Sequence, residues 1–156
     1  MSTSEQLAAG LAALVTARVT DFGRTLNMAE VGFLRDGVVT RLHAQCPFRV
    51  VRGELILFGS VDMNYPIDPQ ADRVVAYDKY GTMFDRNARK LTTLVADTEY
   101  LVESAVLGAA GMVTLTLSNG VAIEVLPAST GRHVEQWRLF ERGSDIHHVF
   151  PDSADR

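Results

Sequence analysis

The chain has one cysteine among its 156 residues, so no internal disulfide can form, and Cys46 fits a protein of a reducing compartment, the cytoplasm in the simplest reading. Basic residues are outnumbered: 15 Lys and Arg against 19 Asp and Glu give a formal net charge of −4. Such a field repels nucleic acid and anionic lipid, and the one local basic cluster, Arg86, Arg89 and Lys90, reads as the solvated face of a helix. No apolar run approaches membrane-spanning length, and the amino terminus lacks the basic and apolar regions of a signal peptide. The expected partners therefore include neither nucleic acid nor membrane.

Chemical motifs are missing too. There is no phosphate-binding glycine loop, no dinucleotide fingerprint, no H-E-x-x-H and no G-x-S-x-G. Asp62, Asp68 and Asp72 lack the glycine and terminal glutamate of a calcium loop. His147 and His148 are adjacent on a strand and so point to opposite faces; Asp145 and His147, with His133, are permissive of a metal but not specific for one. Cys46 follows His43 by three residues, a strand spacing that puts the pair on opposite faces. We assign no catalytic, cofactor or metal residues, and folding requires no cofactor. The expectation leans away from an enzyme.

What is present is a repeated order of parts. A helical pattern over 4–17, with Leu7, Leu11, Leu14 and Val15 at helical spacing, leads to a hairpin at Asp36-Gly37, then Phe48-Arg49-Val50-Val51 and an apolar run ending at Phe58. A second helical pattern over 85–96, with Asp85 as its natural N-cap, leads to a hairpin at Asn119-Gly120, then Trp137-Arg138-Leu139-Phe140 and a run ending at Phe150. The hairpin glycines precede the two aromatic-arginine blocks by 11 and 17 residues, which one loop insertion explains. Gly10 interrupts the first helical stripe at a cost of about 1 kcal/mol.

This order predicts an α+β protein: mainly antiparallel sheet with two amphipathic helices, in a single domain over 1–156 with a frayed tail from Pro151. Its halves, 4–59 and 85–150, are either an internally duplicated αββββ unit or two β-rich halves that share turn grammar. They are joined by an excursion over 60–84 that holds Asp62, Asp68, Asp72 and Asp78 together with Tyr65, Tyr77 and Tyr80. A connection of that length in a compact domain is functional or marks a seam.

Candidate binding residues follow. Arg49 and Arg138, equivalent under the repeat, are a pair of anion clamps or else ion-pair with Glu54 and Glu141. Trp137 is a core anchor or a recognition residue, since tryptophan and arginine dominate interface hot spots. Tyr65, Asp62, Asp68 and Asp72 belong to the acidic loop, and His147 to the last strand.

The segments Val113 to Pro127 and Glu135 to Phe140, with Cys46-Pro47-Phe48-Arg49 and Gly59-Ser60-Val61-Asp62, resemble small uncharacterised bacterial α+β proteins of high-GC organisms. Some of these sit among toxin-immunity and accessory proteins. The resemblance implies partner binding and carries over no functional residue. The leading expectation is a non-enzymatic protein-binding, immunity-like module; the alternatives are a small-molecule binder or hydrolase with a pocket between the halves, using Arg49, Arg138 or His147, and a self-associating structural protein.

Overall fold

The computed structural model describes residues 2–152. It is an α+β protein of two antiparallel five-stranded sheets and three helices. The first half is α1 (Thr3–Ala12), β1 (Arg18–Thr25), β2 (Met28–Arg35), β3 (Val38–Ala44), β4 (Phe48–Arg52) and β5 (Leu55–Gly59). A 3-10 turn, Ser60–Asn64, and α2 (Arg73–Asp78) fill the excursion. The second half is α3 (Met83–Asp97), β6 (Val102–Leu107), β7 (Val113–Leu117), β8 (Val121–Val125), β9 (Trp137–Glu141) and β10 (His147–Phe150).

Local chemistry accounts for the element ends. Ser2 and Glu5 form a reciprocal capping box that starts α1, and Leu7 and Leu11 bury its apolar stripe. The helix stops at Ala12 rather than at 17. Beyond it, Thr16 takes a left-handed φ of 75°, and the Thr16 N–H reaches the carbonyl of Val102 at 2.8 Å. Backbone bonds to a sheet edge thus replace the last helical turn. The start of α3 also differs from expectation: Thr82 is the N-cap, and Asp85 is the third helical residue, whose carboxylate reaches back to it. Both hairpins turn as expected, with positive φ at Asp36 and Gly37 and again at Asn119 and Gly120.

The strand orders are β1-β2-β3-β9-β10 and β6-β7-β8-β4-β5. Counting the second five strands as the first five converts one order into the other. Each half gives three strands to one sheet and its last two to the other, so a half contributes five strands, not four. The helices obey the same rule: α1 packs on β6 and β10, and α3 on β1 and β5.

Registers agree in detail. Val19 faces Phe33 and Asp21 faces Gly32 with a bulge between; Val102 faces Leu117 and Ser104 faces Thr116 with a bulge at the same place. Arg18 and Leu101 meet in an isolated antiparallel bridge. Beside it, Val19 N–H donates to the Tyr100 carbonyl and Val102 N–H to the Ala17 carbonyl, each at 2.9 Å. These two bonds exchange when the halves are interchanged.

The inner faces fill one core. Val31, Phe33, Leu42 and Leu139 come from the first sheet, and Val50, Leu115, Ile123 and Val125 from the second, all essentially without solvent contact. Burial of each such side chain contributes about 1.5–3 kcal/mol. Phe22, Phe48, Phe58 and Phe84 add a cluster of edge and tilted ring contacts where α3 closes the side of the core. No helix among the described residues is long and apolar enough to cross a membrane.

Candidate functional site

One core-facing position breaks the apolar pattern. On β1, Arg24 occupies the place that Leu107 holds in the other half, because Arg24 faces Ala29 as Leu107 faces Val113. Its side chain is 1% exposed and Asp85's is 5%. Buried charge is tolerated only with close partners, and Arg24 has them on every side. Its Nε and one terminal nitrogen donate to the two Asp85 oxygens at 2.8 and 2.9 Å. Further donations go to the carbonyls of Leu26 at 2.9 Å and Tyr77 at 2.6 Å. The rings of Tyr77 and Tyr80 lie against the guanidinium, each with its centroid 4.4 Å away.

Burial pushes the Asp85 carboxyl upward, but hydrogen bonds from Arg24 and Thr82 outweigh it and hold the group below its ordinary value. The arrangement clamps the end of the excursion onto the core. Sequence reasoning did not single out Arg24 and Thr82, and it read Tyr77 only as an excursion residue and Asp85 only as a helix cap; the available signal was an arginine two residues from Phe22 on β1.

The clamp fixes a surface. Ile67 N–H donates to the Gly81 carbonyl at 2.9 Å and Met83 N–H to the Tyr65 carbonyl at 2.8 Å, so the two ends of the excursion run together. The Arg73 guanidinium sits 5.5 Å from the Tyr65 ring centroid, and Met63, Asn64, Arg73, Val74 and Tyr77 line a crevice beside it. Val61, Tyr65, Val74, Val75 and Tyr80 remain 44–66% exposed. Scattered exposed apolar residues are ordinary, but five of them on one short stitched segment are not.

The aspartates do something other than gather a cation. Asp62 accepts the Gly59 N–H at 2.9 Å and Asp68 the Gln70 N–H at 2.9 Å. Asp72 is the N-cap of α2, accepting from Val74 at 3.0 Å and Val75 at 3.1 Å. Each fixes the local backbone of the excursion through a bond to a main-chain N–H.

The remaining candidates do not converge. Arg49 pairs with Glu124 on the solvent face of the second sheet, Nε to Oε1 3.1 Å. Arg138 is on the first sheet, where it pairs with Glu135 at 2.6 Å and meets the His147 ring. The two arginines therefore form no joint anion clamp, and their partners are not Glu54 and Glu141. Trp137 is fully buried; its indole N–H donates to the Gly111 carbonyl at 2.8 Å and its ring stacks on Phe150, centroids 6.1 Å apart. It belongs to the core and offers nothing to a partner.

Among the described residues, no group of three or more His, Cys, Asp or Glu is placed to hold a metal ion. Cys46 is buried, its thiol pushed up to about 11 by desolvation, whereas His43 lies on the solvent face with Nε2 3.5 Å from Glu30. No activated thiolate results. A cavity does lie between the halves, against α1, but none of Arg49, Arg138 and His147 lines it. Comparison with protein-family models, with curated proteins and with solved structures gives no significant match.

Proposed function

We propose that this protein is a non-enzymatic binding module that holds a protein partner on the platform formed by residues 60–82. The observation that carries the reading is the exposed apolar and aromatic set Val61, Tyr65, Val74, Val75 and Tyr80, on a segment whose far end the desolvated Arg24–Asp85 clamp holds at Tyr77, Tyr80 and Thr82. Tyrosine and arginine are the side chains that interfaces concentrate, and a pre-ordered backbone reduces the entropy lost on binding. The segment carries Asp62, Asp68, Asp72 and Asp78 against Arg73 and Lys79, so a matching partner surface is basic. An immunity-like inhibitor, of the kind the sequence resemblance implies, uses such a face to cover a basic site. The acidic balance argues against nucleic acid as the partner, and the buried thiol suits a cytoplasmic protein.

We also read the chain as a duplicated unit. The matched strand orders, the matched bulges and the self-paired bridge at Arg18 and Leu101 support this. The excursion then is the linker between the two units, and the long connection from Val125 to Trp137 is the insertion that one half carries and the other lacks.

The test uses the full chain, purified with its bound partner from its own cells. A partner retained by wild type and by Arg49→Ala, but lost from Tyr65→Ala/Val74→Asp with unchanged circular dichroism, supports the reading. Equal retention by wild type and both variants overturns it, and a concentration-dependent dimer abolished by the same double substitution redirects the platform to self-association.

A further inference from the structure

A cavity of about 160 Å³ opens between α1 and the inner face of the first sheet. Phe33, Leu139 and Ala17 make its apolar wall, and Glu141 and His148 stand among its polar groups. The other half of the chain contains the corresponding place. Ala17 and Tyr100 are counterparts through the exchanged hydrogen bonds beside the central bridge, and Phe33 and Leu117 are counterparts through their pairing with Val19 and Val102. Glu141 faces Thr40 two residues along from the Leu139–Leu42 pair, just as Arg52 faces Val121 two residues along from Val50–Ile123.

In the second half the tyrosine occupies that place. Tyr100 is 4% exposed, and its hydroxyl oxygen accepts a hydrogen bond from Arg52 at 3.1 Å. In the first half Ala17 leaves the corresponding space open, and a carboxylate stands where the arginine would be. We infer that this cavity is a binding site for a small molecule with one phenyl-sized ring and a hydrogen-bond donor, a phenol or an arylamine. The ring lies against Phe33 and Leu139, and the donor points to Glu141.

Size agrees with that class: a cavity of about 150 Å³ admits benzene, and here Phe33 and Leu139 supply an apolar wall while Arg35, Asp36, Thr40 and Glu141 supply polar groups. Reversal of the polar group matters as much: Arg52 donates to the Tyr100 oxygen, whereas the oxygens of Glu141, a solvent-exposed residue at the mouth, accept. The cavity shares no residue with the platform, so this proposal stands or falls without it.

The experiment titrates the ¹⁵N-labelled full chain with 4-methylphenol and, separately, with toluene, following amide shifts. Saturable shifts at Ala17, Thr40 and Glu141 are expected with 4-methylphenol, with about two- to fivefold weaker binding of toluene or of 4-methylphenol to Glu141→Gln, the factor lost with one hydrogen bond to an exposed carboxylate. Ala17→Tyr, which copies Tyr100, should abolish the shifts; if it does not fold, Ala17→Leu is the blocking variant. Absence of saturation in wild type, binding that survives the blocking substitution, or equal binding of toluene each overturns the assignment.

Discussion

Gly10 of α1 lies beneath the His148 imidazole of β10, where an added Cβ would fall 2.6 Å from Cδ2 and 2.8 Å from Cγ. The glycine that weakens the helix is what lets the helix dock. Helix propensity alone predicts that Gly10→Ala stabilises by about 1 kcal/mol, while the contact requires the whole ring to move, at a cost of about 1–3 kcal/mol. We expect Gly10→Ala to lower the urea midpoint and Gly10→Ala/His148→Ala to recover the propensity gain relative to His148→Ala alone. Simple additivity of the two substitutions would show that the contact is not close.

Removing one partner of the Arg24–Asp85 pair leaves a buried charge without compensation, so Asp85→Asn should cost about 3–5 kcal/mol. Replacing both by leucine, which copies Leu107 at one position, should cost much less. The pair also sets an acid limit. Because the folded carboxyl is held below its ordinary value, the unfolded chain takes up the proton first as pH falls. Its stabilisation is complete above about pH 4 and is lost as the pH drops through the lower folded value. Urea unfolding at pH 7 and pH 3 should show a smaller acid loss in Asp85→Asn than in wild type; equal losses would place the acid sensitivity elsewhere.

His43 titrates in the same direction for a different reason. Desolvation lowers it, Glu30 raises it and Arg41 lowers it again, leaving it below 6.5. Its ring also packs edge-on against Phe140, centroids 4.9 Å apart. The neutral ring is the folded form, so its contribution is present above the unfolded value near 6.5 and fades as pH falls through the folded one. An NMR titration should give a midpoint below 6.5 that moves lower still in Glu30→Gln. A midpoint that rises in this variant would contradict the assigned role of Glu30.

Cys46 should be inert in the native protein. With its thiol pushed up to about 11 and its side chain buried, the thiolate fraction at pH 8 is about 100-fold below that of an unperturbed thiol. Labelling with a disulfide reagent should therefore be slow until denaturant is added, and rapid native labelling would show that the Cys46-Pro47 corner opens.

Much of the architecture was legible along the chain. Hairpins at Asp36-Gly37 and Asn119-Gly120 announce themselves because their type I′ turns need positive φ at neighbouring positions, a demand met locally. Phe48-Arg49 and Trp137-Arg138 were matched by type, and both now lead strands that cross to the opposite sheet. The role of each member was less visible. A tryptophan in an alternating strand reads alike whether its face is core or solvent, and the Gly111 carbonyl that receives its N–H comes from 26 residues away. The three aspartates looked like a charge cluster because their acceptor role depends on backbone N–H groups whose directions composition does not encode.

By itself the sequence determined the class of the protein: apolar alternation, turn residues and caps act over a few residues, so helices, hairpins and the order of the halves follow from neighbours in the chain. Only the tertiary structure decided that the last two strands of each half cross over, that Arg24 is buried under Tyr77 and Tyr80, and that Ala17 leaves open what Tyr100 fills. Those facts join residues from 48 to more than 100 positions apart, as in Arg52 with Tyr100 and Phe33 with Leu139. Contacts of that separation are selected by the free energy of the whole core, to which no local pattern gives access.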